Sequence, residues 1–209
     1  MKETTRKTAG NDTAGSPKNR AKLYCSAVSY DRIREMKEEI PYEMHSDIAV
    51  VFYLQENRDG STVITPITNA LVEELGLKRQ EIIRRAWSNT VAEKRAVMMS
   101  LADMLGEEEE EGMPKIYVLS NEDMHLGAVT MFYPGLLAVI AKELDGDLCI
   151  LPSSVHECLI MPMEADTDIG ALKKIVKKVN ETEVEEEDIL SYNVYRFSRR
   201  SGRVEIDNF

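Results

Sequence analysis

An α+β fold, with an antiparallel or mixed sheet and flanking helices, is what this sequence predicts, and three observations predict it. Asp47, Ile48, Ala49, Val50, Val51, Phe52, Tyr53 and Leu54 form a nearly continuous apolar run of strand length, as a strand buried on both faces requires. Residues 78–90 and 136–144 instead repeat their apolar side chains at helical spacing. Short strands and helices then follow one another without strict strand–helix–strand alternation, which separates α+β from a doubly wound sheet. Hydrophobic residues make up 43% of the 209 residues, enough to supply a sizeable core.

Residues 1–20 are rich in Lys, Thr, Gly, Asn and Ser, with almost nothing to bury, and are expected to be a disordered basic tail. Residues 21–209 are expected to form one domain. Its helical half spans about 21–105 and its strand-rich half about 115–209. An acidic linker, 106–114, joins them, because the five successive glutamates Glu107 to Glu111 repel one another and stay solvated.

Within the first half, residues 23–28 suit a short strand, and 31–39 a helix that stops ahead of Pro41, since proline disfavours helix in the residue before it. The apolar run at 47–54 turns at Asp59 and Gly60 into a second strand at 61–65. Three helices follow. The first, 69–75, is closed by Gly76, which tolerates positive φ. The second, 78–90, puts Ile82, Ile83, Ala86 and Trp87 on one face. The third starts at Thr90, whose spacing to Glu93 is that of a capping box, and carries Val97, Leu101, Met104 and Leu105 on one stripe.

Beyond the linker, residues 115–119 and 127–132 read as strands. Pro134 opens a helix at the position where its missing N–H matters least. Residues 147–151 and 155–161 are strands around a tight turn. Asp166 or Thr167 caps a helix with Leu172, Ile175, Val176 and Val179 at core spacing, and Thr182 with Glu185 caps a short helix to Leu190. Residues 192–197 and 203–206 close the chain as a hairpin around Ser201 and Gly202.

The densest set of reactive side chains is the turn Leu151, Pro152, Ser153, Ser154, Val155, His156, Glu157. With Ser153 and Ser154 as a two-residue turn, Leu151 would face His156 and Cys149 would face Cys158, all four side chains sharing one face. Nucleophilic catalysis would use Ser153 or Ser154 as nucleophile, His156 as base and Glu157 as its orienting acid. Against it, His156 and Glu157 are adjacent and point to opposite faces of a regular strand. A metal or redox site would draw on Cys149, His156 and Cys158, but zinc needs four ligands and no CxxC or HxxxH spacing supplies the rest. The preferred reading is structural: the serines shape the turn, His156 hydrogen-bonds nearby and the cysteines pack.

A second constellation is helical. Ala70, Leu75, Gly76, Leu77 and Ile82 have the spacing of a helix-turn-helix, and Lys78, Arg79, Arg84 and Arg85 would load its second helix with positive charge for DNA. The chain carries −11 overall while residues 1–20 carry +3, so the body carries −14. Such a body repels nucleic acid and anionic membranes unless its basic residues are segregated. Three cysteines are too few and odd in number for a secreted disulfide framework and fit a reducing cytoplasm. No apolar run approaches the length of a membrane span.

At several of these motifs the sequence resembles a bacterial family, domain of unknown function 5688. The matching residues include Asp47 to Tyr53; Asn89 and Thr90; Tyr117, Val118, Leu119, Ser120 and Asn121; Gly127 and Ala128; Tyr133 and Pro134. They continue through Leu151 to Glu157, Val179 to Thr182, and Val194, Tyr195 and Arg196. The resemblance spans roughly residues 23–206 and implies the C-terminal two-thirds of the family pattern, with residues 1–20 outside it. It implies no activity and no cofactor. The expectation is therefore a non-enzymatic cytoplasmic binding or interaction module with a protein or small-molecule partner. The DNA-binding regulator and the hydrolase are its alternatives.

Overall fold

The computed structural model describes residues 21–58, 61–108 and 114–207. The expected basic tail, the Asp59–Gly60 turn and Glu109 to Glu111 of the acidic run lie outside the described residues. In chain order the elements are β1 (Lys22–Ser29), the one-turn α1 (Tyr30–Ile33), β2 (Tyr42–His45), β3 (Ile48–Arg58), β4 (Ser61–Pro66), α2 (Asn69–Glu74), α3 (Arg79–Glu93), β5 (Ala96–Ser100) and α4 (Leu101–Leu105). They continue with β6 (Tyr117–Asn121), a 3-10 turn (Gly127–Phe132), α5 (Leu136–Glu143), β7 (Leu148–Leu151), β8 (Cys158–Pro162), α6 (Ile169–Thr182), β9 (Tyr195–Ser198) and β10 (Arg203–Ile206).

Two antiparallel sheets result, and the fold is α+β. In the first, β3 is central: β1 runs along one edge from Ser29↔Ile48 to Lys22↔Gln55, and β2 and β4 share the other. The second has the order β10-β9-β7-β8-β6-β5, antiparallel throughout. The apolar run behaves as its composition requires: Ile48, Ala49, Val50, Phe52 and Tyr53 are all buried.

One core joins the two sheets. Cys25, Val50 and Phe52 of the first meet Leu119, Ile150, Ile160 and Tyr195 of the second, with Ile82 and Ala86 of α3 and Leu137 and Ile140 of α5. A smaller core covers the far face of the second sheet, where Ile169 and Val176 of α6 meet Cys149, Leu151, Met161 and Val194. Alternation along β7 feeds both: Leu148 and Ile150 enter one core, Cys149 and Leu151 the other. Among the described residues no helix is long and apolar enough to cross a membrane.

Several local expectations give way to long-range bonding. The helix expected at 31–39 is a single turn, Tyr30–Ile33, because Ile33 is its one buried side chain and Ser29 makes no side-chain cap. Thr90 does not start a third helix. Its hydroxyl donates to Ala86 O at 2.7 Å and accepts from Cys25 N at 2.9 Å, so α3 runs on to Glu93 and is pinned to β1. The residues beyond become β5, which covers the edge of β6 from Ala96↔Asn121 to Ser100↔Tyr117. The first half therefore contributes β1 to β5 as well as helices.

The apolar run at 127–132 is a 3-10 turn, not a strand; a short buried run has no periodicity to distinguish the two. Asp168, rather than Asp166 or Thr167, caps α6 by accepting from Ala171 N. The face of α6 that meets the sheet carries Ile169, Val176 and Asn180, which leaves Ile175 53% exposed. Residues 183–190 form turns rather than the expected short helix.

Candidate functional site

The 152–157 segment is a wide loop, not a two-residue turn. Leu151 pairs with Leu159 and Cys149 with Met161, so the expected facing of Leu151 with His156 and of Cys149 with Cys158 does not occur. The loop runs instead beside 188–191. Val155 N donates to Asp188 O at 2.8 Å, Leu190 N to Ser153 O and Ser191 N to Pro152 O, both at 3.1 Å.

His156 locks this loop to a second one. Its carbonyl accepts from Gly127 N at 2.9 Å and from Ser120 Oγ at 2.7 Å. Its Nδ1 accepts from Leu126 N at 3.1 Å, and its Nε2 lies 3.3 Å from Asp188 Oδ2. Because Nδ1 accepts, the proton that faces Asp188 is the one on Nε2. Asn121 shapes the partner loop: Oδ1 accepts from Asp123 N and His125 N, while Nδ2 donates to His125 O. Leu126 is thereby held at φ 52°. The His125 ring lies 5.0 Å from that of His156. Burial and then the neighbouring imidazole hold its pKa below the ordinary histidine range.

Ser154 and Glu157 do meet at this junction, in another arrangement than a triad. Ser154 Oγ accepts from the backbone N of His156 at 3.0 Å, away from the ring nitrogens. Burial pushes the Glu157 carboxyl pKa up, although His156 and Ser154 beside it pull it down. Both imidazole nitrogens are thus taken by protein groups, and neither faces a serine hydroxyl. Sequence reasoning missed Ser120, Asn121 and Asp188 as parts of this junction. The signals available were the proximity of Ser120 and Asn121 to Gly127 in the sequence and their place, with Leu151 to Glu157, among the residues that carry the family resemblance.

The metal candidates Cys149, His156 and Cys158 are separated. Cys149 packs under α6, whereas Cys158 belongs to the core between the sheets. Among the described residues no group of three or more His, Cys, Asp or Glu could hold a metal ion. All three cysteines are free and buried. Burial pushes Cys25 and Cys149 up to about 12 and raises Cys158 as well. An aromatic disulfide reagent in mildly alkaline buffer is therefore expected to label no thiol in the folded chain and all three in guanidinium, read by the absorbance of the released aromatic thiolate, because the cysteine thiolate is the reactive form. Fast labelling of the folded chain would overturn this.

Of the helix-turn-helix candidates, Lys78 precedes α3 as its N-cap residue. Arg79 donates to Tyr42 O at 3.0 Å, and Arg85 pairs with Glu81 at 2.5 Å. Arg84 is exposed. Gly76 closes α2 at φ 64°, as its position after the helix predicts.

A cavity of about 420 Å3 opens elsewhere, between the 3-10 turn with the start of α5, the β2–β3 turn and the β9–β10 hairpin. Its walls include His45, Phe132, Tyr133, Leu137, Tyr195 and Arg203. The His45 and Phe132 rings stack with centroids 4.3 Å apart. Burial lowers the His45 pKa. Tyr133 sends its hydroxyl to Lys94 O at 2.7 Å, and Tyr195 donates to Asp47. Asp47 also accepts from Ser191 Oγ at 2.8 Å and Asn193 Nδ2 at 2.9 Å. These residues come from distant segments, and no spacing in the sequence brings them together.

One family model matches residues 2–199, and its description is family of unknown function, DUF5688. The match reaches further toward the N-terminus than the expected 23–206, so residues 2–20 do not stand outside it and the two-thirds coverage does not hold in that detail. No curated protein and no solved structure matches the chain.

Proposed function

For a chain that belongs to the DUF5688 family of unknown function, we propose a non-enzymatic binding module that works in the reducing cytoplasm and recognises a small-molecule partner without transforming it. The observation that carries this reading is the bonding of His156. A general base needs a free nitrogen within reach of its nucleophile. Here Nδ1 is held by Leu126 N and Nε2 faces Asp188. The cytoplasmic placement rests on three buried cysteines that form no disulfide. A small-molecule partner is favoured because the aromatic-walled cavity has the size of ordinary ligand sites.

A fluorophosphonate probe tests the reading. The folded chain is expected to remain unlabelled at Ser153 and Ser154. His156→Ala is expected to lower stability by about 1 kcal/mol, the worth of a hydrogen bond between half-buried groups, with no hydrolytic rate to lose. Labelling of either serine, or an esterase turnover lost in His156→Ala, would overturn it.

A further inference from the structure

Resting on the binding-module reading, we propose that the cavity beside the β9–β10 hairpin binds a flat apolar molecule carrying a single carboxylate, with the carboxylate on Arg203 and the apolar body against the stacked His45 and Phe132 rings. The volume of about 420 Å3 lies within the size class of small-ligand sites. Two tyrosines contribute to its walls, yet both hydroxyls are bound elsewhere, that of Tyr133 to backbone carbonyls and that of Tyr195 to Asp47. Tyr133, Tyr195, Leu137 and Met131 are nearly fully buried and form the floor behind the cavity, so the half-buried His45 and Phe132 rings are the apolar surface it offers.

Charge selects the polar end. The chain carries −11, yet no carboxylate is among the described residues that line this cavity. Arg196 and Arg199, on the same hairpin, are paired with Asp147 and Asp145. Arg203 is exposed and its guanidinium makes no ion pair with a described residue. Burial lowers the His45 pKa, which favours its neutral form, and Arg203 is the one guanidinium or ammonium group among the described residues that line the cavity. A guanidinium takes a carboxylate by two parallel hydrogen bonds, which sets both charge and orientation. An aromatic body gains further by offset stacking on the imidazole and phenyl rings.

The test titrates the whole chain with 2-naphthoate and with its uncharged isostere 2-naphthamide, read by calorimetry. Saturable one-to-one binding is expected, with naphthoate about tenfold tighter, the worth of one charge-assisted contact. In Arg203→Gln the two ligands are expected to bind within about twofold of each other. Ala138→Trp, at an exposed wall position on α5, is expected to abolish binding of both while the melting curve stays in place. No saturable naphthoate binding, equal binding of acid and amide, or a preference unchanged in Arg203→Gln would each overturn the proposal. Those outcomes leave the phosphonate result untouched, so this site and the non-enzymatic reading fail separately.

Discussion

Gly127→Ala is expected to lower the stability of this protein by on the order of 3 kcal/mol or more, because the added methyl has no space and its neighbours cannot yield. A Cβ at this position would lie 2.1 Å from Ser120 Oγ, 2.6 Å from Asn121 N and 2.7 Å from His156 O. The last two are backbone atoms. His156 O is held by Gly127 N and by Ser120 Oγ, so moving it breaks the bonds that join the two loops. The demand is for close approach of three chain segments, not for an unusual backbone angle. Urea denaturation gives the measurement. Gly146→Ala is the control, with Leu144 O at 3.9 Å as its nearest neighbour and an expected effect within about 0.5 kcal/mol. Adding Ser120→Ala to Gly127→Ala relieves the shortest contact alone and is expected to restore little, since the backbone contacts persist. A cost below about 1 kcal/mol for Gly127→Ala would show that the loops can separate without loss.

Asp47→Ala is expected to cost about 3 kcal/mol, since it strands several donors at once and each buried unpaired group costs about 1–3 kcal/mol, not additively. The carboxylate accepts from Ser191 Oγ, Asn193 Nδ2 and the Tyr195 hydroxyl. Tyr195 is 1% exposed and Ser191 3%, so water reaches either hydroxyl poorly. These bonds tie the start of β3 in the first sheet to the strand that opens the closing hairpin of the second. Asp47→Asn retains one carbonyl acceptor and is expected to lose about half as much, on the order of 1.5 kcal/mol. Chemical denaturation with unchanged m-value distinguishes this loss from a change in the unfolded chain. Equal stability of Asp47→Ala and the parent would mean that the two sheets are held by the apolar core alone.

The candidate chemistry at 151–157 shows where local reasoning ends. Alternation along a regular strand was the argument against a His156–Glu157 pair, and the observed loop breaks that alternation. Ser154, His156 and Glu157 do converge, yet through the backbone N of His156 rather than its ring. The partner that completes the ring's bonding, Asp188, is supplied by a segment expected to be helical. The cavity is less legible still. His45, Phe132 and Arg203 belong to three separate segments, and no spacing rule connects residues that far apart.

Local composition by itself determined β3, the β3–β4 pairing, α3, α5 and the closing hairpin, because an apolar period, a glycine beyond a helix end or a turn pair acts within a few residues. The placement of Gly76 at φ 64° just past α2 is of that kind. Tertiary structure decided the rest. Thr90 has the spacing of a helix start, but Cys25 N, 65 residues away, occupies its hydroxyl, and the helix continues. Val97 and Met98 can serve a helix or a strand, and the free edge of β6 selects the strand. Cys149 and Cys158 fall on opposite faces because Leu151 pairs with Leu159 rather than His156, and a shift in register reassigns every side chain to a face. Short-range preference is worth tenths of a kcal/mol per residue, about one-tenth of what a buried unpaired group costs, so where the two compete the distant partner prevails.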